Sequence, residues 1–370
     1  MKTITFLLMY YLPEEPTVNF IYQKHIDECL TKGMRVNIIT PNPTRGVSKE
    51  QINKYRHIKY EHLRTNLHVY RVNCFTYYHF NKFNLLHRYL SVSYRCAQKL
   101  KKIPSDEIFI QTSPPIFYAY WASKIAKKRG IKIIYDIQDI YPDNIFSHRP
   151  FIYKFVNNYQ KKIMQRADDI YTISEDMRLT LANKGDFSKK IHVRANPPTF
   201  QISRYDDQKM QLIKQKYHFE NDKKTILYAG NIGYLQDLDV LLAAARILQD
   251  ENHIAFKIIG EGSQAIRIKA KIAELNLQNC EFYPMTTNEE SAYLYKAADV
   301  NFISLLPGVI YTACPLKTAM IKQAGQPVIA CVDRDSNYAS ELVENGAISI
   351  IPNRDYHLLA DVIKDYFVKQ

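Results

Sequence analysis

The sequence predicts an α/β protein made of two Rossmann-like, doubly wound domains. Three observations carry this. At 370 residues the chain exceeds what one hydrophobic core usually supports, since domains run to roughly 100–200 residues. Short β-branched runs alternate with longer stretches of helical period, the pattern of parallel strands joined by helical crossovers. That alternation stops once, near Asn196-Pro197-Pro198, and restarts at Thr225.

Residues 4–9, ITFLLM, read as the first strand, and 36–40, 67–72, 108–111, 132–136 and 169–173 as the strands that follow. Helical patterns over 18–32, 83–101, 116–128, 152–166 and 175–184 lie between or after them. The stretch 201–224 is polar and without period, so the domains are expected at 1–198 and 225–370, with 199–224 as a linker. In the second domain, strands are expected at 225–228, 255–259, 280–283, 300–304, 327–331 and 347–351. Its helices are expected at 238–250, 264–275, 289–298, 316–323, 338–344 and 356–367, the last packing back on the first domain.

Apolar content of 46% and charged content of 24% are ordinary globular values and exclude wholesale disorder. The opening MKTITFLLMYYLPEEP has an apolar run, but Pro13, Glu14 and Glu15 stand where a signal peptide needs small residues. No run approaches the ~20 apolar residues that span a bilayer. A cytoplasmic protein is expected, with any membrane contact peripheral.

The net charge of +13 is unevenly spread. Residues 1–200 hold 32 Lys and Arg against 16 Asp and Glu, and the rest hold 18 against 21. A basic first half suits an anionic partner, and with no recognition motif beside the charge, nucleic acid is not expected. The stretch 77–102, YYHFNKFNLLHRYLSVSYRCAQKLKK, mixes aromatic and basic residues. Its apolar stripe, Phe83, Leu86, Leu90 and Tyr94, is expected to pack into the sheet while its lysines face an anionic membrane surface. The six cysteines are scattered and expected as reduced thiols. His25, His87 and His192 lack partners at ligand spacing, and Asp333-Arg334-Asp335 reads as a solvated loop, so no metal is expected.

Gly230-Asn231-Ile232-Gly233 sits between a strand and a helix, where glycines let backbone approach a diphosphate and helix N–H groups can point at it. A lone turn of this kind is common. A second one, Gly260-Glu261-Gly262, follows the neighbouring strand, and two such turns at one sheet edge form a nucleotide site. A third piece follows: Pro315-Leu316-Lys317 before a helix and Ala324-Gly325-Gln326-Pro327-Val328 after it.

The order YAGNIG, IGEG, P-x-K, helix, AG-x-PVIA resembles the C-terminal domain of retaining GT-B glycosyltransferases of family four, bacterial enzymes of capsule, exopolysaccharide or O-antigen assembly, including N-acetylfucosamine transferases. Thr112-Ser113-Pro114-Pro115, the run from Asp136 to Pro142, and Arg194-Ala195-Asn196-Pro197 resemble the same branch, so the likeness covers nearly the whole chain.

The resemblance implies two domains facing across a cleft and metal-independent transfer of a sugar from a nucleotide donor, UDP expected, with retention and no cofactor. Gly230, Asn231, Ile232, Gly233, Gly260, Glu261, Gly262, Thr312, Pro315, Leu316 and Lys317 would hold the donor, with Lys317 on the diphosphate. Thr112, Ser113, Pro114 and Asp139 would lie on the acceptor side, with Asp139 orienting or deprotonating the acceptor hydroxyl. The acceptor would be a polyprenyl-diphosphate-linked glycan at the inner membrane face.

Two features depart from the family. Asn231 and Gln236 stand near where many relatives carry Arg and Lys, and Thr312 and Met320 stand where spacing places a pair of glutamates. The second departure leaves room for a different reading, a non-catalytic GT-B subunit serving a partner glycosyltransferase. A sugar-nucleotide epimerase would share the architecture but need a carboxylate and histidine cluster that the sequence does not show.

Overall fold

The structure, a computed structural model, describes residues 1–14, 17–44, 46–73, 82–112, 116–146, 149–220 and 222–368. It divides into two compact units, Met1–Ala195 and Asn196–Gln370.

The first unit is built on strands β1 (Thr3–Leu7), β2 (Arg35–Pro41), β3 (Tyr60–Arg64), β4 (Leu67–Val72), β5 (Glu107–Gln111), β6 (Lys132–Ile137), β7 (Asp169–Thr172) and β8 (Ile191–Val193). They form one sheet in the order 3-4-2-1-5-6-7-8, parallel except for β3. Helices α1 (Thr17–Thr31), α2 (Lys49–Tyr55), α3 (Lys82–Lys102), α4 (Ile116–Lys128), α5 (Asp143–Phe146), α6 (Pro150–Arg166) and α7 (Glu175–Ala182) complete it. Every residue of β1 is buried, as a strand covered on both faces requires. Ile4, Phe6, Val36 and Ile38 pack under Tyr22 and Ile26 of α1. The antiparallel edge strand β3 escaped the sequence reading because four of its five residues are exposed and no apolar alternation marks it.

Helix α3 corrects one expectation. Leu86, Leu90 and Tyr94 face solvent, and Val92, Cys96, Ala97 and Leu100 are the residues that turn inward; Phe83 lies outside the described side chains. The inner stripe is the one with small residues, which let α3 approach α4, itself buried through Ala119, Ala122, Ser123 and Ala126.

The second unit has a six-stranded, all-parallel sheet of β9 (Lys224–Ala229), β10 (Ile254–Ile259), β11 (Cys280–Tyr283), β12 (Val300–Ser304), β13 (Val328–Cys331) and β14 (Ser349–Ile351) in the order 11-10-9-12-13-14. Its helices are α8 (Asp207–Lys216), α9 (Asp239–Ile247), α10 (Ala265–Glu274), α11 (Asn288–Ala297), α12 (Lys317–Ala324), α13 (Asn337–Glu344) and α14 (Tyr356–Val368). One core lies under α9 and α14, and a second under α8, α11, α12 and α13 on the opposite face.

The stretch 199–224 is therefore not a bare linker. Asp206 caps α8 by accepting from the Lys209 N–H, and Ile213 and Tyr217 are buried in the second core. With a single buried residue inside the helix, its apolar period is too sparse to read from sequence. The last helix, α14, lays Leu359, Ala360, Ile363 and Phe367 into the core that α9 covers.

Behind β6, the loop of residues 138–146 is tied down by a buried lysine. The Lys184 ammonium is ion-paired with Asp143 and donates to Asn157 Oδ1 (3.0 Å) and Gln160 Oε1 (2.9 Å), while Gln160 Nε2 donates to the Tyr141 carbonyl (2.6 Å). Burial outweighs the Asp143 carboxylate and holds the ammonium below the ordinary lysine value. Lys184→Met leaves Asp143 without its cation, and a loss of about 3 kcal/mol is expected in urea unfolding; a change within error of zero would show that the pair does not anchor the loop.

Candidate active site

In a doubly wound sheet, ligands sit beyond the carboxyl ends of the strands where the strand order reverses. In the second unit that point lies between β9 and β12, and the three motifs read from the sequence come to it. The two glycine turns interlock. Gly230 N–H donates to Ile259 O (2.9 Å), Ile232 N–H to Glu261 O (2.7 Å), and Gln264 N–H to Ile232 O (3.0 Å), so the parallel ladder of β9 and β10 continues past the strand ends.

This closeness is what the second pair of glycines permits. A Cβ on Gly260 would stand 1.9 Å from Gly230 O, and one on Gly262 would stand 2.4 Å from Ile232 O. The same bonds correct an expectation about the turn: the N–H groups of Gly230 and Ile232 are consumed within the protein, and that of Gly233 donates to Gln236 Oε1 (3.0 Å). Asn231 and Gln236 form a neutral amide contact (3.4 Å), so these two side chains add no charge to the turn. Charge must therefore come from another element.

Lys317 supplies it. As the first residue of α12, it sends its ammonium back over the face of the buried Tyr228 ring, 3.4 Å from the centroid, on the sheet side of the Gly230 turn. A Cβ on Gly230 would lie 3.7 and 3.8 Å from Lys317 Cε and Nζ. The nitrogen is buried with no hydrogen-bond acceptor among the described residues, and burial alone pushes it well below the ordinary lysine value. Tyr228 is fixed in turn by donating its hydroxyl to Asn231 O (2.6 Å), and the ring offers cation–π attraction but no counter-charge.

The remaining residues expected on the donor side divide. Pro315 and Leu316 form the half-buried lead into α12, and Glu261 is exposed. Thr312 turns its hydroxyl to Val309 O (3.0 Å). Met320 is in the core, its sulfur accepting from the Phe200 N–H (3.4 Å), so no polar group stands at that position of α12. Beside the turns, a cavity of about 340 Å³ is bordered by Gly233, Asp237, Asp239, Arg267 and Arg354. Its charges are paired, Arg267 with Asp239 (2.9 Å) and Arg354 with Asp237 (3.2 Å). Asp333 and Asp335 also have local partners, accepting from the Gly308 N–H and the Tyr311 hydroxyl.

In the first unit, Asp139 follows β6. Its side chain reaches solvent, yet the protein around it lifts the carboxyl to about 6. Thr112 closes the ends of β5 and β6 by donating both its N–H (2.8 Å) and its hydroxyl (2.6 Å) to Asp136 O. Ser113 and Pro114 lie outside the described residues.

Sequence reading missed the group behind Asp139. Asp136 is buried, accepts from the Tyr22 hydroxyl and Gln138 Nε2 (both 2.9 Å), and lies 3.6 Å from the Arg194 guanidinium. Burial raises its carboxyl despite these partners. Arg194 stacks on Tyr171 at 4.3 Å, and burial together with that cation lowers the His25 imidazole to about 4. Tyr22 and Asp136 are 114 positions apart, so no motif spacing joins them.

Known proteins place these units. Residues 25–197 match the family described as Glycosyltransferase Family 4, and residues 209–368 match Glycosyl transferases group 1. The Escherichia coli (strain K12) protein WcaI, named for glycosyl transfer in colanic acid biosynthesis, is 25% identical over 222 residues, 57% of this chain and 54% of its own length. WbjE of Pseudomonas aeruginosa, named as a glycosyltransferase, is 21% identical over 79% of this chain and 75% of its own. The solved structure of Anabaena Alr3699/HepE in complex with UDP-glucose superposes with a TM-score of 0.68 at 14% identity, covering 99% of this chain and 90% of that one. The chain is thus of the GT-B, family-four glycosyltransferase type, with two Rossmann-like units.

Two outcomes follow from the geometry. Gly260→Ala forces the interlocked turns apart and is expected to cost at least about 2 kcal/mol in urea unfolding; wild-type stability would refute the close approach. An acid whose folded-state value exceeds its unfolded one loses stability as pH rises from its ordinary value to the raised one, here from that of free aspartate to about 6. Asp139→Asn should therefore melt higher than wild type at about pH 7.5 and identically at about pH 3, by calorimetry.

Proposed function

We propose that this protein transfers one sugar from a nucleotide donor, UDP-linked, to a growing glycan on a polyprenyl-diphosphate lipid, with retention at the anomeric carbon, in surface polysaccharide assembly. The observation that carries the reading is the Lys317 ammonium, buried at the switch point with no hydrogen-bond or anionic partner among the described residues. An isolated buried cation is costly, and a diphosphate beside Gly230 is the ligand that would compensate it. The two relatives named for glycosyl transfer, and the UDP-glucose complex of the Anabaena protein, support the same donor class.

In the proposed reaction the bond from the anomeric carbon to the diphosphate oxygen breaks and the acceptor oxygen bonds to that carbon. The acceptor proton passes to the departing diphosphate, and nucleoside diphosphate leaves. Lys317 offsets the charge that develops on the leaving group, together with the N-terminus of α12. Asp139, lifted to about 6, orients the acceptor hydroxyl. Ribose would be held without an acidic residue on α12, since Met320 is committed to the core.

That commitment also motivates a second reading, a non-catalytic subunit that supports a partner transferase. Titrating the purified protein with UDP and UDP-sugars by calorimetry separates the two: binding supports transfer, and no binding to any nucleotide would sink it. Lys317→Met is expected to weaken UDP binding by about ten- to a hundredfold, the worth of a charge-assisted contact. Because the folded protein holds this lysine below its ordinary value, the ammonium costs stability at all pH values below that ordinary value. The variant should therefore melt higher than wild type at neutral pH without nucleotide, and the gain should shrink as pH approaches the ordinary lysine value.

A further inference from the structure

The cavity of about 340 Å³ beside the glycine turns has the size of a small-ligand site, framed by α9, α10 and the loops that follow β9 and β14. On one wall Arg267 of α10 grips Asp239 of α9 with both terminal nitrogens (2.9 Å each) and donates from Nε to Gln264 Oε1 (2.6 Å). Lys271 adds a third bond to Asp239 (2.5 Å). The Arg267 guanidinium, with Lys271 beside it, holds this carboxyl below the ordinary aspartate value. On a second wall Arg354 bonds to Asp237 through Nε alone (3.2 Å), so its two terminal nitrogens and Asp237 Oδ1 are left without a partner among the described residues.

Asp237 and Arg354 both stand on left-handed backbone, at φ 41° and 66°, where glycine would sit at no steric cost. Among the described residues only four that are not glycine adopt such a backbone, and two of them meet here as one ion pair. The Ser304 hydroxyl donates to the Asp237 carbonyl (3.1 Å) and fixes that turn. An ion pair with an arginine 64% exposed stabilises a fold little. Strained backbone that keeps two such side chains in place therefore points to a ligand they hold.

The walls select the class of that ligand. Each carboxylate already faces a guanidinium, so an anion would have to displace a carboxylate, and a cation a guanidinium. A hydrocarbon would strip water from these charges and replace none of its hydrogen bonds. A pyranose meets both demands. Its hydroxyls can donate to Asp237 Oδ1 and accept from the free Arg354 nitrogens, and the C–H face of its ring can lie on Tyr234, which borders the cavity and is 70% exposed. Ile232 and Leu306 line another part of the cavity with apolar surface, and Lys317, Tyr228 and Gly230 do not border it.

We propose that this cavity binds one neutral pyranose unit, held by Asp237 and Arg354 and stacked on Tyr234, at a site separate from the Lys317 ammonium. The proposal deepens the transfer reading, on which the purpose of the site rests. Sugar binding and nucleotide binding are measured apart, so either can fail alone.

Saturation-transfer NMR on the full chain with glucose, galactose, mannose and N-acetylglucosamine tests it. Transfer to the ring protons of at least one of these sugars is expected. Arg354→Gly and Asp237→Gly should each weaken that sugar's affinity about tenfold or more, the worth of a hydrogen bond to a charged group. Because glycine relieves the left-handed backbone, both variants should melt no lower than wild type. Tyr234→Ser, at an exposed position, should weaken affinity by a similar factor and probes the cavity without touching the ion pair. Lys317→Met should leave the sugar signals unchanged. Competition separates two sources of the pyranose: UDP-glucose displaces the free sugar when the unit belongs to the nucleotide donor, and leaves it bound when the unit belongs to a glycan. No transfer to any of these sugars, wild-type affinity in all three cavity variants, displacement by UDP alone, or loss of the signals with Lys317→Met would overturn the proposal.

Discussion

A lysine ammonium held in the interior without an acceptor is the constraint around which the second unit is organised. Lys317 reaches its place because it opens α12, because Tyr228 at the end of β9 gives it an aromatic floor, and because Gly230 has no side chain to occupy the same space. Each condition depends on another. The Gly230 turn keeps its shape by hydrogen bonds to the Gly260–Gly262 turn, and that turn can approach only because glycine stands at 260 and 262. The parallel pairing of β9 with β10 and with β12 brings all three motifs to one edge.

Positive charge at this site resides on a side chain rather than on free backbone N–H groups. Three N–H groups of the first turn are already used, and the Asn231–Gln236 contact leaves the turn neutral. Low-dielectric surroundings strengthen the effect of such a deeply placed cation on any anion that reaches it.

The first unit solves a different problem, holding three acidic groups close together at a sheet edge. Asp136 is satisfied by Tyr22 and Gln138 with Arg194 nearby, and Asp143 is locked by Lys184; Asp139, between them in sequence, reaches solvent yet has its carboxyl raised by the protein around it. The two anchored carboxylates fix the loop that carries the third. Thirteen Lys and Arg residues, with no Asp or Glu, lie instead on α3, α4 and α6.

Much of this was legible in the sequence. The alternation of β-branched runs with helical periods specified two doubly wound domains, because parallel strands buried on both faces must be apolar throughout and their crossovers must be amphipathic. The order of Gly230–Gly233, Gly260–Gly262 and Pro315–Lys317 marked the sheet edge at which the turns of the second unit meet, because glycine is needed where backbones touch. What the sequence could not settle were choices made by neighbours distant along the chain. Which stripe of α3 turned inward depended on the small residues of α4. The packing of 199–224 depended on a core in which Ile213 and Tyr217 are buried and against which Phe200, Ile202 and Met210 pack. The Tyr22–Asp136 pair joins α1 to β6. That Lys317 would be buried without a partner, rather than capped or solvated, was decided by tertiary structure alone, since burial and counter-charge belong to the space around a residue and not to its place in the chain.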